Sequence, residues 1–403
     1  MSGLIPPPLS LYVHFPWCVR KCPYCDFNSH TLHGELPQEG YVAALERDIA
    51  AQAEQVGGRR LISVFLGGGT PSLFSPEAIA RVLAGARRHF EFAEACEITL
   101  EANPGTIERG RFAEYAAAGV NRVSLGAQSF DAGALAALGR IHSPAETVRA
   151  VAELHAAGLT NFNLDLMYAL PQQTTAGAVS DVEQALALKP AHVSHYQLTL
   201  EPGTVFAAAP PPLPVDDVAA EMLAECGARL ADAGLSQYEV SAYARAGRQA
   251  RHNLNYWTFG DYVGAGAGAH GKLTLGDRIV RTAQWREPRR YLAADPRHLA
   301  HKEVAAGELP FEFMMNGLRL TDGFDTGVFE ARTGLAWADI APVMLKLEQR
   351  GLVECQRGRC RPTRQGLQFL NEALLVFLDP LCTGHSALTA NERITSETHT
   401  IAE

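Results

Sequence analysis

Three cysteines near the start of the 403-residue chain, Cys18, Cys22 and Cys25, stand in the order C-x3-C-x2-C within LYVHFPWCVRKCPYCDF (11–27). The thiolate is the form that binds metal, and three thiolates on one short loop suit a four-iron cluster whose fourth iron has no protein ligand. That open position can take a substrate or cofactor. A structural zinc site asks for four protein ligands in a tetrahedron, and no second cysteine or histidine pair lies nearby in sequence. A zinc ion completed by a distant residue, or three unconnected buried thiols, are the competing readings.

Gly67, Gly68, Gly69, Thr70 and Pro71 form the next stretch with chemical potential. Glycines let a backbone approach a ligand closely, so that its amide and carbonyl groups can bond an amino-acid head group. No Gly-Lys-Ser/Thr follows, which excludes a phosphate loop, and a tight turn would use the same residues. Further on, GAGAGAHG (264–271) satisfies G-x-G-x-x-A through Gly264, Gly266 and Ala269. A dinucleotide fingerprint ends an early strand and opens a helix, whereas this one lies late and runs into the extended HGKLTLGDRIV. Glycines at a crowded strand are the simpler reading.

The elements that must hold these residues alternate. Apolar, β-rich runs at LYVHFP, LISVFLGGG (61–69), EITLEANP (97–104), RVSLGAQ (122–128), NFNLDLMYAL (161–170) and HVSHYQLTL (192–200) are separated by stretches with helical spacing. Gly119 and Gly158 stand where helices should stop. This pattern predicts an α/β fold, a partial (β/α)6 TIM-like barrel with its site at the C-terminal ends of the strands. The proline-rich AAAPPPLPVDD (207–217) reads as a loop over the barrel mouth. From Glu308 the texture becomes helical, then a short hairpin with GRC at its turn, then a final helix: a small winged-helix-like α+β domain. The expected organisation is a barrel domain over 1–275, a connecting segment over 276–307, the C-terminal domain over 308–380 and a disordered tail over 381–403.

Composition narrows the function. Hydrophobic residues at 47% and charged residues at 20% are ordinary for a soluble enzyme. No run approaches eighteen apolar residues and the start lacks a basic, then apolar, leader, so a cytoplasmic location is expected. A net charge of −9 argues against a general nucleic-acid surface. Eight cysteines in such a chain read as metal ligands or reduced thiols. Cys96, Cys226, Cys355, Cys360 and Cys382 are most simply ordinary thiols, with Cys355 and Cys360 able to face each other across the hairpin.

The cysteine spacing, with the aromatic Tyr24 just before the last cysteine, resembles the radical S-adenosylmethionine superfamily. There the amino and carboxylate groups of S-adenosylmethionine bind the open iron, and an electron from the reduced cluster cleaves the sulfonium to methionine and a deoxyadenosyl radical. Glu101 in EANP, Gln128 in LGAQSF, Arg140 in LGRIHS and Asp165 in NLDLMYALP are similar to the set in its oxygen-independent coproporphyrinogen III dehydrogenase branch. The resemblance implies that Tyr12, Tyr24, Gly68 and Glu101 contact the cluster-bound S-adenosylmethionine, with the Gly67 to Gly69 backbone at its amino group. It also implies that Gly69, Thr70, Gln128, Arg140 and Asp165 contact a second molecule or its replacement.

Two departures matter. The dehydrogenases read C-x3-C-x2-C-x-C where this chain has Phe27, and they carry a long N-terminal arm where only eleven residues precede Tyr12. CPYCDF, the short start and HNLNYW (252–257) instead resemble the HemW haem chaperones over about residues 9 to 378. That resemblance implies a protein that binds haem and hands it to an acceptor protein. It further implies an electron donor such as a flavodoxin or ferredoxin, and membrane contact only through the acceptor. Radical decarboxylation of coproporphyrinogen is the alternative activity. On the residues alone, His252 can ligate haem iron from an exposed loop, with Asn253, Tyr256 and Trp257 beside it. On those residues alone the simpler reading is that His252 and the asparagines tie a loop to the barrel while the aromatics pack.

Overall fold

Runs of β-branched and aromatic residues form all six expected strands: β1 (Leu9–Phe15), β2 (Leu61–Gly68), β3 (Phe92–Ala102), β4 (Arg122–Gln128), β5 (Phe162–Tyr168) and β6 (His192–Gln197). In the computed structural model, which describes residues 4–105, 110–297 and 299–378, they lie side by side in chain order, each parallel to the next. The tail expected at 381–403 lies outside the described residues. Parallel strands need a crossover, and five helices supply it: α1 (Gln38–Val56), α2 (Pro76–His89), α3 (Phe112–Ala117), α4 (Pro144–Ala156) and α5 (Thr175–Ala187). Local sequence starts and stops them. Ser75 accepts from Ala78 N at 3.2 Å with Pro76 in the first turn of α2, and Ser143 and Glu146 form a capping box on α4. Gly119 and Gly158, just past α3 and α4, take φ of 110° and 74°.

The sheet continues through β7 (Ser236–Gln237), β8 (Ala242–Ala244), β9 (Asp261–Ala265), β10 (His270–Leu275), β11 (Arg278–Ala283) and β12 (Ala300–Glu303). Its order is β12-β11-β10-β9-β1-β2-β3-β4-β5-β6-β8-β7, so the two edges do not meet and the barrel is partial. β9 is parallel to β1, adding a seventh parallel strand that sequence patterning missed. Of the 264–271 glycines, Gly264 lies on β9, Gly271 on β10, and Gly266 and Gly268 in the turn between them. A side chain at Gly264 would come within 1.9 Å of His270 O, and one at Gly266 within 2.4 Å of His14 O. Close approach of neighbouring chain explains them without a dinucleotide. Residues 276–307, expected as a connector, provide β11 and β12.

Alternation along the strands sorts the side chains. Val123, Leu125, Phe162, Leu164, Leu166 and Val193 pack outward into the core beneath the helices. Arg122, Ser124, Asn163, Asp165, His192, Ser194 and Tyr196 face inward. Barrel interiors are ordinarily filled with layers of Val, Ile and Leu. Here the bore is polar.

The C-terminal part contains α8 (Leu309–Gly317) and α9 (Trp337–Gln349), numbered after α6 (Asp216–Asp232) and α7 (Arg251–Trp257), and a sheet of β13 (Phe324–Asp325), β15 (Arg359–Pro362) and β14 (Val353–Gln356) in that order. Phe313, Phe324, Phe329, Met344 and Leu347 form its core, which also takes in Phe259 and Ile279 from the barrel side. The β14–β15 turn is Arg357-Gly358, with φ of 53° and 78°, not GRC; Arg359 and Cys360 already belong to the return strand. Cys355 and Cys360 stand directly opposite and are joined by a disulfide. Among the described residues no helix is long and apolar enough to cross a membrane.

Candidate functional site

The cysteine loop leaves the C-terminal end of β1 and is held by its own backbone. Trp17–Cys18 pairs with His30–Thr31, Cys25 N donates to Cys22 O at 3.2 Å, and Lys21 Nζ reaches Phe27 O and Ser29 O at 2.9 and 3.1 Å. Each sulfur has a polar neighbour: Thr70 Oγ1 donates to Cys18 Sγ at 3.5 Å, Arg140 Nη1 to Cys22 Sγ at 3.8 Å, and Ser29 Oγ lies 3.6 Å from Cys25 Sγ. None of the three is in a disulfide.

The glycine run at the end of β2 passes directly over β1. A side chain at Gly68, where φ is 109°, would come within 2.4 Å of the His14 ring, and one at Gly69 within 2.6 Å of Trp17 O. His14 cannot yield easily, because its ring nitrogens are engaged with Tyr12 OH at 2.7 Å and Asn28 O at 2.9 Å. This close packing sets Thr70 N on Trp17 O at 2.8 Å and so brings the glycine backbone beside the cysteine loop. Gly68 N donates to Glu101 Oε2 at 2.9 Å, tying β2 to β3 at the same end.

A cavity of about 420 Å³ opens at this mouth. Its wall includes Cys18, Cys22, Cys25, Tyr24, Gly68, Gly69, Thr70, Glu101, Gln128, Arg140 and Asp165, so the structure gathers most of the expected cofactor residues. Tyr12 and Gly67 lie behind that wall, Tyr12 against His14 and Phe65, and Gly67 against Phe65. Arg140 bridges the loop and the barrel, donating to Gly126 O at 2.8 Å and to Asn103 Oδ1. Asp165 accepts from Asn163 at 2.7 Å and Ser124 at 3.1 Å, while burial pushes its carboxyl up. The residue just before the proline-rich stretch reaches the same mouth: Phe206 N donates to Pro23 O at 3.0 Å, and the Phe206 ring lies 6.4 Å from that of Tyr24.

HNLNYW is somewhere else. It forms the seven-residue helix α7, not a loop, and closes the floor of the barrel at the N-terminal ends of the strands. Asn255 Nδ2 donates to Ser10 Oγ at 3.0 Å and Asp261 O at 2.8 Å. Arg251 N and the His252 ring bond Glu97, the ring at 2.8 Å. His252 is therefore 6% exposed, not the open ligand the sequence suggested, and burial lowers its imidazole pKa. Burial would raise the Glu97 carboxyl, but the His252 hydrogen bond and the Arg122 charge carry it down to about 2.

His252, Asn253, Tyr256 and Trp257 line a second cavity of about 140 Å³, together with Arg122, Asn163, His192, Ser194, Glu239 and Arg319. Glu101, Ser124, Asp165 and Tyr196 border both cavities. Sequence reasoning missed Arg122, Asn163 and Tyr196. A period-two reading of RVSLGAQ, NFNLDLMY and HVSHYQ would have put all three on one face.

Residues 12–185 match the radical SAM superfamily profile, and residues 304–369 match the HemN C-terminal domain. The fold is shared with the solved coproporphyrinogen III oxidase HemN of Escherichia coli, at a TM-score of 0.78 and 23% identity over 92% of this chain and 90% of that one. Heme chaperone HemW of Escherichia coli (strain K12) is 48% identical, covering 92% of this chain and 98% of its own length. The Haemophilus influenzae heme chaperone HemW is 46% identical with the same coverage. A Mus musculus protein named radical S-adenosyl methionine domain-containing protein 1, mitochondrial, is 37% identical over 92% of this chain and 88% of its own. The chain belongs to the HemW family of the radical SAM superfamily.

Proposed function

We propose that this protein binds haem and passes it to an acceptor protein, on a scaffold that also carries a four-iron cluster and S-adenosylmethionine. Full-length similarity to proteins named heme chaperone HemW is the observation that carries this reading. Cys18, Cys22 and Cys25 hold the cluster. Their three residues share one cavity wall, and none of the three thiols is in a disulfide. Bound there, the cluster supplies one electron and one open iron position to S-adenosylmethionine. Thr70, Ser29 and Arg140 stand where they would hydrogen-bond the sulfurs and tune that electron.

Tyr24, the Gly67 to Gly69 backbone and Glu101 take the S-adenosylmethionine, with Tyr12 supporting them from behind. Thr70, Gln128, Arg140 and Asp165 face the remaining space of the mouth. His252, Asn253, Tyr256 and Trp257 contribute the floor of the haem site. His252 Nδ1 bonds Glu97, so this ring braces the floor of the site. An electron donor of the flavodoxin or ferredoxin class would serve a cluster held by these cysteines. The deciding experiment uses anaerobically purified, reconstituted protein. It should bind haem and load an apo-haem protein, and it should not convert coproporphyrinogen when reductant and S-adenosylmethionine are supplied. Vinyl products at a catalytic rate, without haem transfer, would return the dehydrogenase reading.

A further inference from the structure

Arg122 opens β4 at the barrel floor and is 2% exposed, yet its guanidinium makes no hydrogen bond among the described residues. Its ion pair there is with Glu97, at 4.0 Å, beyond hydrogen-bonding range. A guanidinium carries five N–H donors and stays charged, so burying it unpartnered is costly unless something supplies acceptors.

The surrounding carboxylates are engaged elsewhere. Glu97 accepts from the His252 ring at 2.8 Å and from Arg251 N, Asp165 from Asn163 and Ser124, and Glu239 from Arg319 at 3.1 Å. Among the residues that line the 140 Å³ cavity, the buried polar atoms left without a partner are Arg122 Nε, Trp257 Nε1 and Arg319 Nε. All three are donors. An occupant that partners them must bring acceptors; water can do so, and a carboxylate brings two in the spacing a guanidinium matches. At about 140 Å³ the space is well below the roughly 300 Å³ or more that organic cofactors and drug-sized ligands fill. It fits an acidic arm, not a macrocycle. Glu101, Ser124, Asp165 and Tyr196 line both this space and the mouth cavity, so the two are neighbours.

We propose that this floor cavity receives a propionate of the porphyrin carried in the lumen, gripped by Arg122 with the Trp257 and Arg319 N–H groups beside it. The proposal rests on the haem reading above. HNLNYW then acts as the base of a carboxylate pocket: Trp257 donates, and His252 holds Glu97 away from the guanidinium.

The test compares haem with its dimethyl ester, which lacks the negative charges, on wild type and Arg122→Gln. Cluster absorbance and melting temperature of the variant confirm that the fold survives. Wild type should prefer haem to the diester by about tenfold to a hundredfold, the range for a charge-assisted hydrogen-bonded pair, and Arg122→Gln should erase the preference. Equal affinity of wild type for both porphyrins, or an undiminished preference in the variant, overturns the proposal. If wild type binds neither porphyrin, the chaperone reading fails, and sodium propionate against sodium chloride at equal ionic strength judges the pocket alone. Thermal stabilisation by propionate that Arg122→Gln abolishes supports a carboxylate site; no stabilisation rejects it.

Discussion

At the scale of single residues, the mouth depends on contacts with almost no tolerance. Gly68 combines a φ of 109° with the His14 ring 2.4 Å from where a side chain would begin. Gly68→Ala must therefore strain the backbone and displace a doubly bonded imidazole. A loss of about 2–4 kcal/mol is expected in urea unfolding, with cofactor binding weakened in proportion. A variant within 0.5 kcal/mol of wild type would show that β1 and β2 can part there. Each of Cys18→Ala, Cys22→Ala and Cys25→Ala should lose cluster iron on anaerobic reconstitution, measured by iron content and visible absorption. Glu97 gives a pH signature. Its carboxyl is depressed from 4.5 unfolded to about 2 folded, so the stability it contributes is present above pH 4.5 and is lost as pH falls towards 2. Glu97→Gln should lower the neutral plateau yet flatten the urea midpoint between those pH values. An unchanged slope would mean the carboxyl titrates normally.

At the scale of elements, the floor helix and the cysteine loop occupy opposite ends of the strands. Arg122 and Gln128 at the two ends of β4 are about 20 Å apart at 3.3 Å per residue. His252→Ala should weaken haem binding and lower stability while leaving cluster assembly intact. Loss of the cluster in that variant would mean the ends are coupled. This separation also explains what could be read from the chain alone. The six strands were legible because short runs rich in outward-packing Val, Leu and Phe alternate with stretches of helical spacing, and the cysteine and glycine runs were legible because their chemistry is local. The floor was not. HNLNYW sits among polar groups contributed by Ser10, Glu97 and Tyr238, a meeting of distant segments that no local pattern announces. The seventh parallel strand hid for a related reason, since its glycines answer to His14 and His270 across the sheet.

At the scale of the whole molecule, the C-terminal core is not self-sufficient. It absorbs Phe259 and Ile279, and the Phe259 and Gly260 carbonyls accept from the buried Lys272 of β10, whose own pKa burial lowers to about 8. Barrel and C-terminal part should therefore melt together, giving one calorimetric transition. Two resolved peaks would show an independently folding unit and place the boundary the sequence suggested near residue 308.

The polar bore has a thermal consequence. Unfolding a barrel filled with branched aliphatics exposes much apolar surface, which raises the heat capacity; exposing polar surface lowers it. With Arg, Asp, Asn, His and Ser inside, this protein should unfold with a smaller heat-capacity increment per residue than a filled barrel of its length. Its stability curve should then be broad and shallow, holding a nearly constant margin over a wide span of temperature.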